Sequence, residues 1–197
     1  MLIAYTVVHN FFGERIAILV LTVMFLLLLE VEYIRLEYKP KIPKIIDIVR
    51  HKERNNVTAT IFFISATIIV FAAFDYPIAV TALLLTIFGD LAAALVGIKF
   101  GRHFLFREKT MEGFLAGFAM NCVVGYLFLP AYPVIFLSMA VVASVVELLT
   151  GKLDDNLTVP LFSAFTGQML VYALAAAPLS TFPGPIVGPL LKFFIPS

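Results

Sequence analysis

Six stretches of this chain are apolar over about the length a helix needs to cross a bilayer, roughly 20 residues at 1.5 Å rise for ~30 Å of hydrocarbon. They cover approximately residues 16–36, 57–74, 78–98, 113–129, 134–149 and 158–177. Composition agrees: 61% of the 197 residues are hydrophobic and 14% charged, against ~45–50% and ~25% in an ordinary soluble domain. Lipid offers no partner to an open strand edge, so such segments must be helices. The expected fold is all-α, a polytopic helical membrane bundle of about six transmembrane helices forming a single membrane-embedded domain over 1–197. Residues 1–12 are too short to span, and 179–195 are broken by Pro183, Pro185 and Pro189. Both are expected at the interface or as re-entrant segments. The start of the chain has neither a basic leader nor a small-residue cleavage site and reads as mature sequence.

Short loops rich in Lys and Arg stay on the cytoplasmic side. Arg35, Lys39, Lys41, Lys44, Arg50, Lys52 and Arg54 follow the first apolar stretch. Lys99, Arg102, Arg107 and Lys109 follow the third, and Lys152 follows the fifth. Together they are twelve of the fourteen basic residues, which predicts an even number of spans with both termini outside. The basic loop 39–54 fits topology and anionic headgroups. The formal net charge is only +1, so no bulk field favours nucleic acid as a partner. Cys122 lies in an apolar run and reads as a small packing residue. His9, His51 and His103 are too scattered to make a metal site by spacing.

Ionisable groups close to hydrocarbon are costly, and each is a functional candidate. Asp90, Glu112, Glu147 and the Asp154–Asp155–Asn156 run all fall toward one membrane face, whereas an ion pathway would distribute such groups through the depth. On a helix, Gly97 and Gly101 lie about 20° around the axis from Asp90. Glycines at that spacing suit a close helix seam, and beside a carboxylate they also give a ligand room to approach. Thr110 is placed to cap a helix whose free N–H groups, with Lys109, would form an anion site. Carboxylates and an amide at Asp155 and Asn156, followed by Pro160 in an expected first turn, suit a hard cation such as Mg²⁺. Metal-binding acids, a phosphate-binding lysine and clearance glycines together make the parts of a phosphoryl-transfer site. No Walker A or Gly-rich kinase loop accompanies them.

The stretch from Asp90 to Gly113 resembles the nucleotide-binding signature of the CTP-dependent polyprenol kinases, which include dolichol kinase, phytol kinase and CTP-dependent diacylglycerol kinase. That signature is D-x-x-A-x-x-x-G-x-x-x-G, a short gap, then K-K-T-x-E-G. Asp90, Ala93, Gly97, Gly101, Lys109, Thr110, Glu112 and Gly113 carry it here. Glu108 stands where the family has its first lysine, and the gap is two residues shorter than in dolichol kinase. The family's histidine-containing opening is not evident. Glu147, Asp155, Asn156 and Pro160 are similar to a later acidic segment of the family, and Glu32–Arg35 and Arg50–Arg54 to weaker features.

The resemblance implies a Mg²⁺-dependent enzyme, set in the lipid bilayer, that moves the γ-phosphate of CTP to a long-chain lipid alcohol. Asp90 and Asp155 are then assigned to the metal, and Lys109 with the Thr110 helix start to the triphosphate. Gly97, Gly101 and Gly113 provide clearance, Glu112 and Asn156 support, and Glu147 is the base. The short chain points to a microbial or archaeal plasma membrane with the site facing the cytoplasm. A cytidylyltransferase making a CDP-lipid would need the same reactants, and a small ion-coupled transporter would use Asp90 and Glu147 for its ion.

Overall fold

A computed structural model of the chain describes residues 2–37, 57–107, 109–151 and 153–176. The expected basic loop from Lys39 to Arg54, Lys152, Glu108 and the proline-broken tail lie outside the described residues. Seven helices are found among those residues: α1 Leu2–Phe12, α2 Glu14–Glu37, α3 Ala59–Ala73, α4 Tyr76–Phe100, α5 Met111–Phe128, α6 Pro133–Leu149 and α7 Asp155–Ala176. Each of the six apolar stretches lies almost wholly within one of them. Four helices, α2, α4, α5 and most of α7, are long and apolar enough to cross a membrane. The apolar α3 and α6 are shorter, with 15 and 17 residues, or about 22 and 26 Å of rise.

Local chemistry sets the ends. Gly13, at φ 85°, separates α1 from α2 in a conformation that disfavours any residue with a Cβ. Proline occupies the first turn of α4 and of α6, where its missing N–H removes no intrahelical bond. Thr110 caps α5 by accepting a hydrogen bond from the Gly113 N–H at 3.2 Å, as its position predicted, but the N–H groups expected to stay free for an anion are engaged, that of Met111 with the His103 carbonyl at 2.8 Å. The start of α7 differs from the expectation. It begins at Asp155, so Pro160 lies inside the helix rather than in its first turn. Asp154 makes the earlier start possible, its carboxylate accepting the Asn156 N–H at 3.0 Å and its carbonyl the N–H groups of Leu157 and Thr158.

Between α4 and α5 the chain forms a small hairpin absent from the all-helical expectation. Strand β1 (Phe104–Phe106) pairs antiparallel with β2 (Lys109–Thr110), in the register Phe104 to Thr110 and Phe106 to Lys109. Arg107 turns the corner at φ 54°.

The chain divides into two compact units at Ala72–Ala73. In the first, Tyr5 of α1 stacks on Phe71 of α3 with ring centroids 3.7 Å apart. Glu32 and Arg35 form a buried ion pair in α2, and Glu32 also accepts the Thr58 N–H at 2.8 Å. In the second unit α4 packs most extensively on α5 and also meets α6 and α7. Leu83, Leu85, Met139 and Ala164 are completely enclosed. Asp75, just before α4, exchanges two hydrogen bonds with the buried Gln168 of α7.

The α4–α5 contact is close because glycines face each other across it. A Cβ added at Gly113 would lie 2.8 Å from the Ala93 carbonyl oxygen and 3.3 Å from the Gly97 Cα. One at Gly117 would lie 3.2 Å from the Gly89 carbonyl oxygen. Small residues at such crossings let backbones gain dispersion contacts that larger side chains would prevent.

Candidate active site between α4, α5 and α6

The candidate site is a cleft of about 490 Å³ in the second unit. Helix α4 contributes Asp90, Ala93, Ala94, Gly97 and Ile98, a set spaced so that all fall on one helical face. The hairpin and the start of α5 contribute Lys109, Thr110 and Gly113, and α6 contributes Glu147 from its last turn. The cleft therefore opens at the level where α4 and α6 end and α5 begins.

Lys109 organises its charged end. The Lys109 Nζ is 3.6 Å from the Glu147 carboxylate and 3.7 Å from the Asp155 carboxylate. It also donates a hydrogen bond to the main-chain carbonyl of Glu147. The Glu147 side chain retains only 12% of its exposure, while interacting electrostatically with Asp90 and Asp155 as well as Lys109. Strand β2 sets the lysine's height, and the Thr110 cap fixes the helix that follows it. One cation and three acids contributed by four separate segments thus share a small volume.

Asp90, Gly97, Gly101, Lys109, Thr110, Gly113 and Glu147, all candidates from the sequence, line this cleft. Asp155 joins them through Lys109. Glu112 and Asn156 do not line it. Glu112 instead accepts the N–H groups of Arg102 and His103 at 3.2 and 3.3 Å and pairs with the His103 ring at 2.6 Å, bracing the loop after α4. The Asn156 amide donates to Asp154 at 2.9 Å and to Asp155 at 3.4 Å, so it orders the acidic helix start.

The glycines serve packing as much as clearance. Space for a Cβ at Gly97 is limited by the Thr110 hydroxyl at 3.2 Å, and at Gly101 first by the Gly97 carbonyl oxygen and then by the Thr110 methyl at 2.7 Å.

Among the described residues no group of three or more His, Cys, Asp or Glu side chains is placed to hold a metal ion. A Mg²⁺ site commonly takes only one or two protein carboxylates and completes its octahedron with phosphate oxygens and water. Asp90 and Asp155 fit that smaller demand in number and chemistry, and each interacts electrostatically with Glu147.

Two parts of the site have little sequence signal. The hairpin that carries Lys109 has strands of three and two residues, too short to show alternation. Phe104 and Phe114, which form apolar walls of the cleft, are two of twenty phenylalanines, with nothing in spacing to single them out.

No protein-family model matches the chain, and no solved structure matches it. An uncharacterized protein of Methanocaldococcus jannaschii is 26% identical over 130 residues, covering 65% of this chain and 66% of the relative. The match therefore spans just under two thirds of the relative's length.

Proposed function

We propose that the chain is a lipid-alcohol kinase of the CTP-dependent polyprenol type, transferring the γ-phosphate of CTP to the hydroxyl of a long-chain isoprenoid alcohol or a diacylglycerol. In this reading α3 and α6 complete six spans and the cleft faces the cytoplasm. The observation that carries it is the position of Lys109, held between Glu147 and Asp155 in a cleft that also contains Asp90. Phosphoryl transfer asks a protein mainly to position the donor and balance its charge. An ammonium bearing three donors is suited to a triphosphate.

Lys109 would bind the β- and γ-phosphates. Asp90 and Asp155 would hold Mg²⁺, which supplies charge neutralisation on the phosphate oxygens when bound. Glu147 would take the proton of the lipid hydroxyl as its oxygen bonds to the γ-phosphorus. The bond from that phosphorus to the β–γ bridging oxygen breaks, and CDP leaves with the electron pair. The lipid tail would stay among the apolar helix faces, so a water-soluble donor meets an insoluble acceptor at the bilayer surface.

Purified protein incubated with γ-labelled CTP, Mg²⁺ and a panel of dolichol, phytol, geranylgeraniol and diacylglycerol is expected to place label on one lipid class and release CDP. Label arriving from the α-position with release of pyrophosphate would make the protein a cytidylyltransferase. Ion or solute flux into sealed vesicles without CTP consumption would make it a carrier. Asp90→Asn is expected to abolish transfer while the protein stays folded in detergent.

A further inference from the structure

We propose that the Phe104–Phe106 hairpin is a membrane-interface anchor, seated at the headgroup–acyl boundary of a leaflet carrying anionic lipid. The inference does not depend on the kinase reading. It rests on where the hairpin lies and on what it exposes.

Residues 101 to 110 join two helices of membrane-spanning length, α4 and α5. A connection that short between two spans must lie at one bilayer face. All three side chains of β1 are exposed, Phe104 to 74%, and so are Phe100 and, at 88%, Ile98 on the last turns of α4. Strand side chains alternate between faces, so this hairpin presents apolar groups on both. In water such a short, two-sided apolar ribbon with free edges would invite association. Deep in hydrocarbon its unpaired backbone groups would be left without partners. The interfacial layer satisfies both demands.

The surrounding charge selects the kind of leaflet. Lys99, Arg102 and Arg107 surround the aromatic residues in sequence, and all three are exposed. The Lys99 ammonium lies 5.3 Å from the Phe100 ring centroid and the Arg107 guanidinium 5.3 Å from that of Phe106, so the cations ride above the rings with their stems along apolar surface. Arg107 also packs against Gly151 in the α6–α7 loop, in space a Cβ there would need, which ties the hairpin to a second loop at the same level. Basic groups at this depth attract anionic headgroups. Phe104 lines the cleft as well, so the anchor would bring the cleft mouth against lipid.

The chain contains no tryptophan, so Leu105→Trp makes a single fluorescent reporter in the full-length protein. Reconstituted into phosphatidylcholine nanodiscs, it is expected to emit to the blue of aqueous tryptophan, to lose intensity when the phospholipid is brominated near the headgroup, and to resist aqueous iodide. Adding phosphatidylglycerol should shift the emission further, and Arg102→Gln should reduce that added shift. Phe106→Trp gives a second reporter if the first variant does not fold. Quenching by iodide and not by brominated lipid would overturn the proposal. So would protection that appears only with CTP, which would make the hairpin a nucleotide cover. An emission indifferent to phosphatidylglycerol would overturn the choice of an anionic leaflet.

Discussion

Lys109 and Glu147 are joined twice, once through the carboxylate at 3.6 Å and once through the main-chain carbonyl that accepts a hydrogen bond from the same ammonium. The pair fastens strand β2, just before α5, to the last turn of α6. Because the carbonyl contact holds the ammonium independently of the glutamate side chain, an incoming anion could displace the carboxylates while the lysine keeps its place. In the proposed function, a cation held in this way would be preorganised for a phosphate, its orienting cost met in folding rather than in binding.

Lys109→Gln should therefore lower catalysis steeply and stability moderately. Removing one preorganised donor from developing charge typically costs about 10²–10³-fold in rate, and a comparable loss of CTP-dependent transfer is expected. The lysine side chain is 33% exposed but that of Glu147 only 12%, so the loss of the pair lies between the about 0–1 kcal/mol of an exposed pair and the about 3–5 kcal/mol of a buried one. A moderate fall in the thermal unfolding midpoint in detergent is expected. Turnover like that of the wild type would remove Lys109 from the site; a collapse of thermal stability would make it a structural residue.

Gly113→Ala and Gly97→Ala should differ although both lie on the α4–α5 crossing. At Gly113 the new methyl meets the Ala93 carbonyl oxygen at 2.8 Å, and main chain on a packed helix has nowhere to go. Overpacking of this kind typically costs about 1–3 kcal/mol, opposed by a helix-propensity gain of about 1 kcal/mol. At Gly97 the nearest atom is the Thr110 hydroxyl at 3.2 Å, with main chain no closer than 3.7 Å, so the two effects nearly cancel. A lower unfolding midpoint is expected for Gly113→Ala and almost no change for Gly97→Ala. The reverse order would mean that α4 and α5 do not cross at these glycines.

The helices were legible because a 20-residue apolar stretch has few alternatives, and the Thr110 cap because threonine at such a boundary has a specific bonding role. Asp90, Lys109, Glu147 and Asp155 could be singled out by the cost of charge near lipid, a signal that does not depend on fold. Other features were ambiguous for physical reasons. Glycines at helical spacing are required by a close crossing and by a ligand alike, since both need an absent Cβ. In the run Asp154–Asp155–Asn156 a one-residue shift exchanges the cap for the acid that pairs with Lys109, and only the helix start decides between them. Glu112 sits in a motif position that resembles a nucleotide contact, yet it accepts the N–H groups of Arg102 and His103, in a loop between α4 and β1 whose path leaves no pattern in the sequence.

Asn121 and Gly89 should show coupled substitution effects. The Asn121 amide is 1% exposed and donates to the Ser144 hydroxyl at 3.0 Å, while its carbonyl oxygen has no hydrogen-bond partner among the described residues. A Cβ at Gly89 would meet the amide nitrogen at 2.9 Å and the carbonyl oxygen closer still. Gly89→Ala alone should destabilise the second unit by displacing Asn121 from Ser144. In an Asn121→Ala background the clash is gone, and the same change should cost less, with a coupling of about 0.5–3 kcal/mol, the range for residues in contact. Additive effects on the unfolding midpoint would show that the two residues do not touch.

The buried pair in the first unit predicts a rescue. Glu32 and Arg35 are 7% and 8% exposed, with Arg35 Nη2 2.6 Å from Glu32 Oε1, and the same carboxylate oxygen accepts the Thr58 N–H. Removing one member of a buried pair leaves a charge without its counterion and typically costs about 3–5 kcal/mol, whereas replacing both can be close to neutral. Arg35→Met should therefore strongly lower the unfolding midpoint. The double variant Glu32→Gln, Arg35→Met should recover much of the loss, because glutamine removes the charge and retains an amide oxygen for Thr58. Glu32→Leu, Arg35→Met should recover less, since the Thr58 N–H would lose its acceptor and an unpaired buried donor costs about 1–3 kcal/mol. If the leucine variant were as stable as the glutamine variant, the Thr58 bond would contribute nothing, and Glu32 would act through its charge alone.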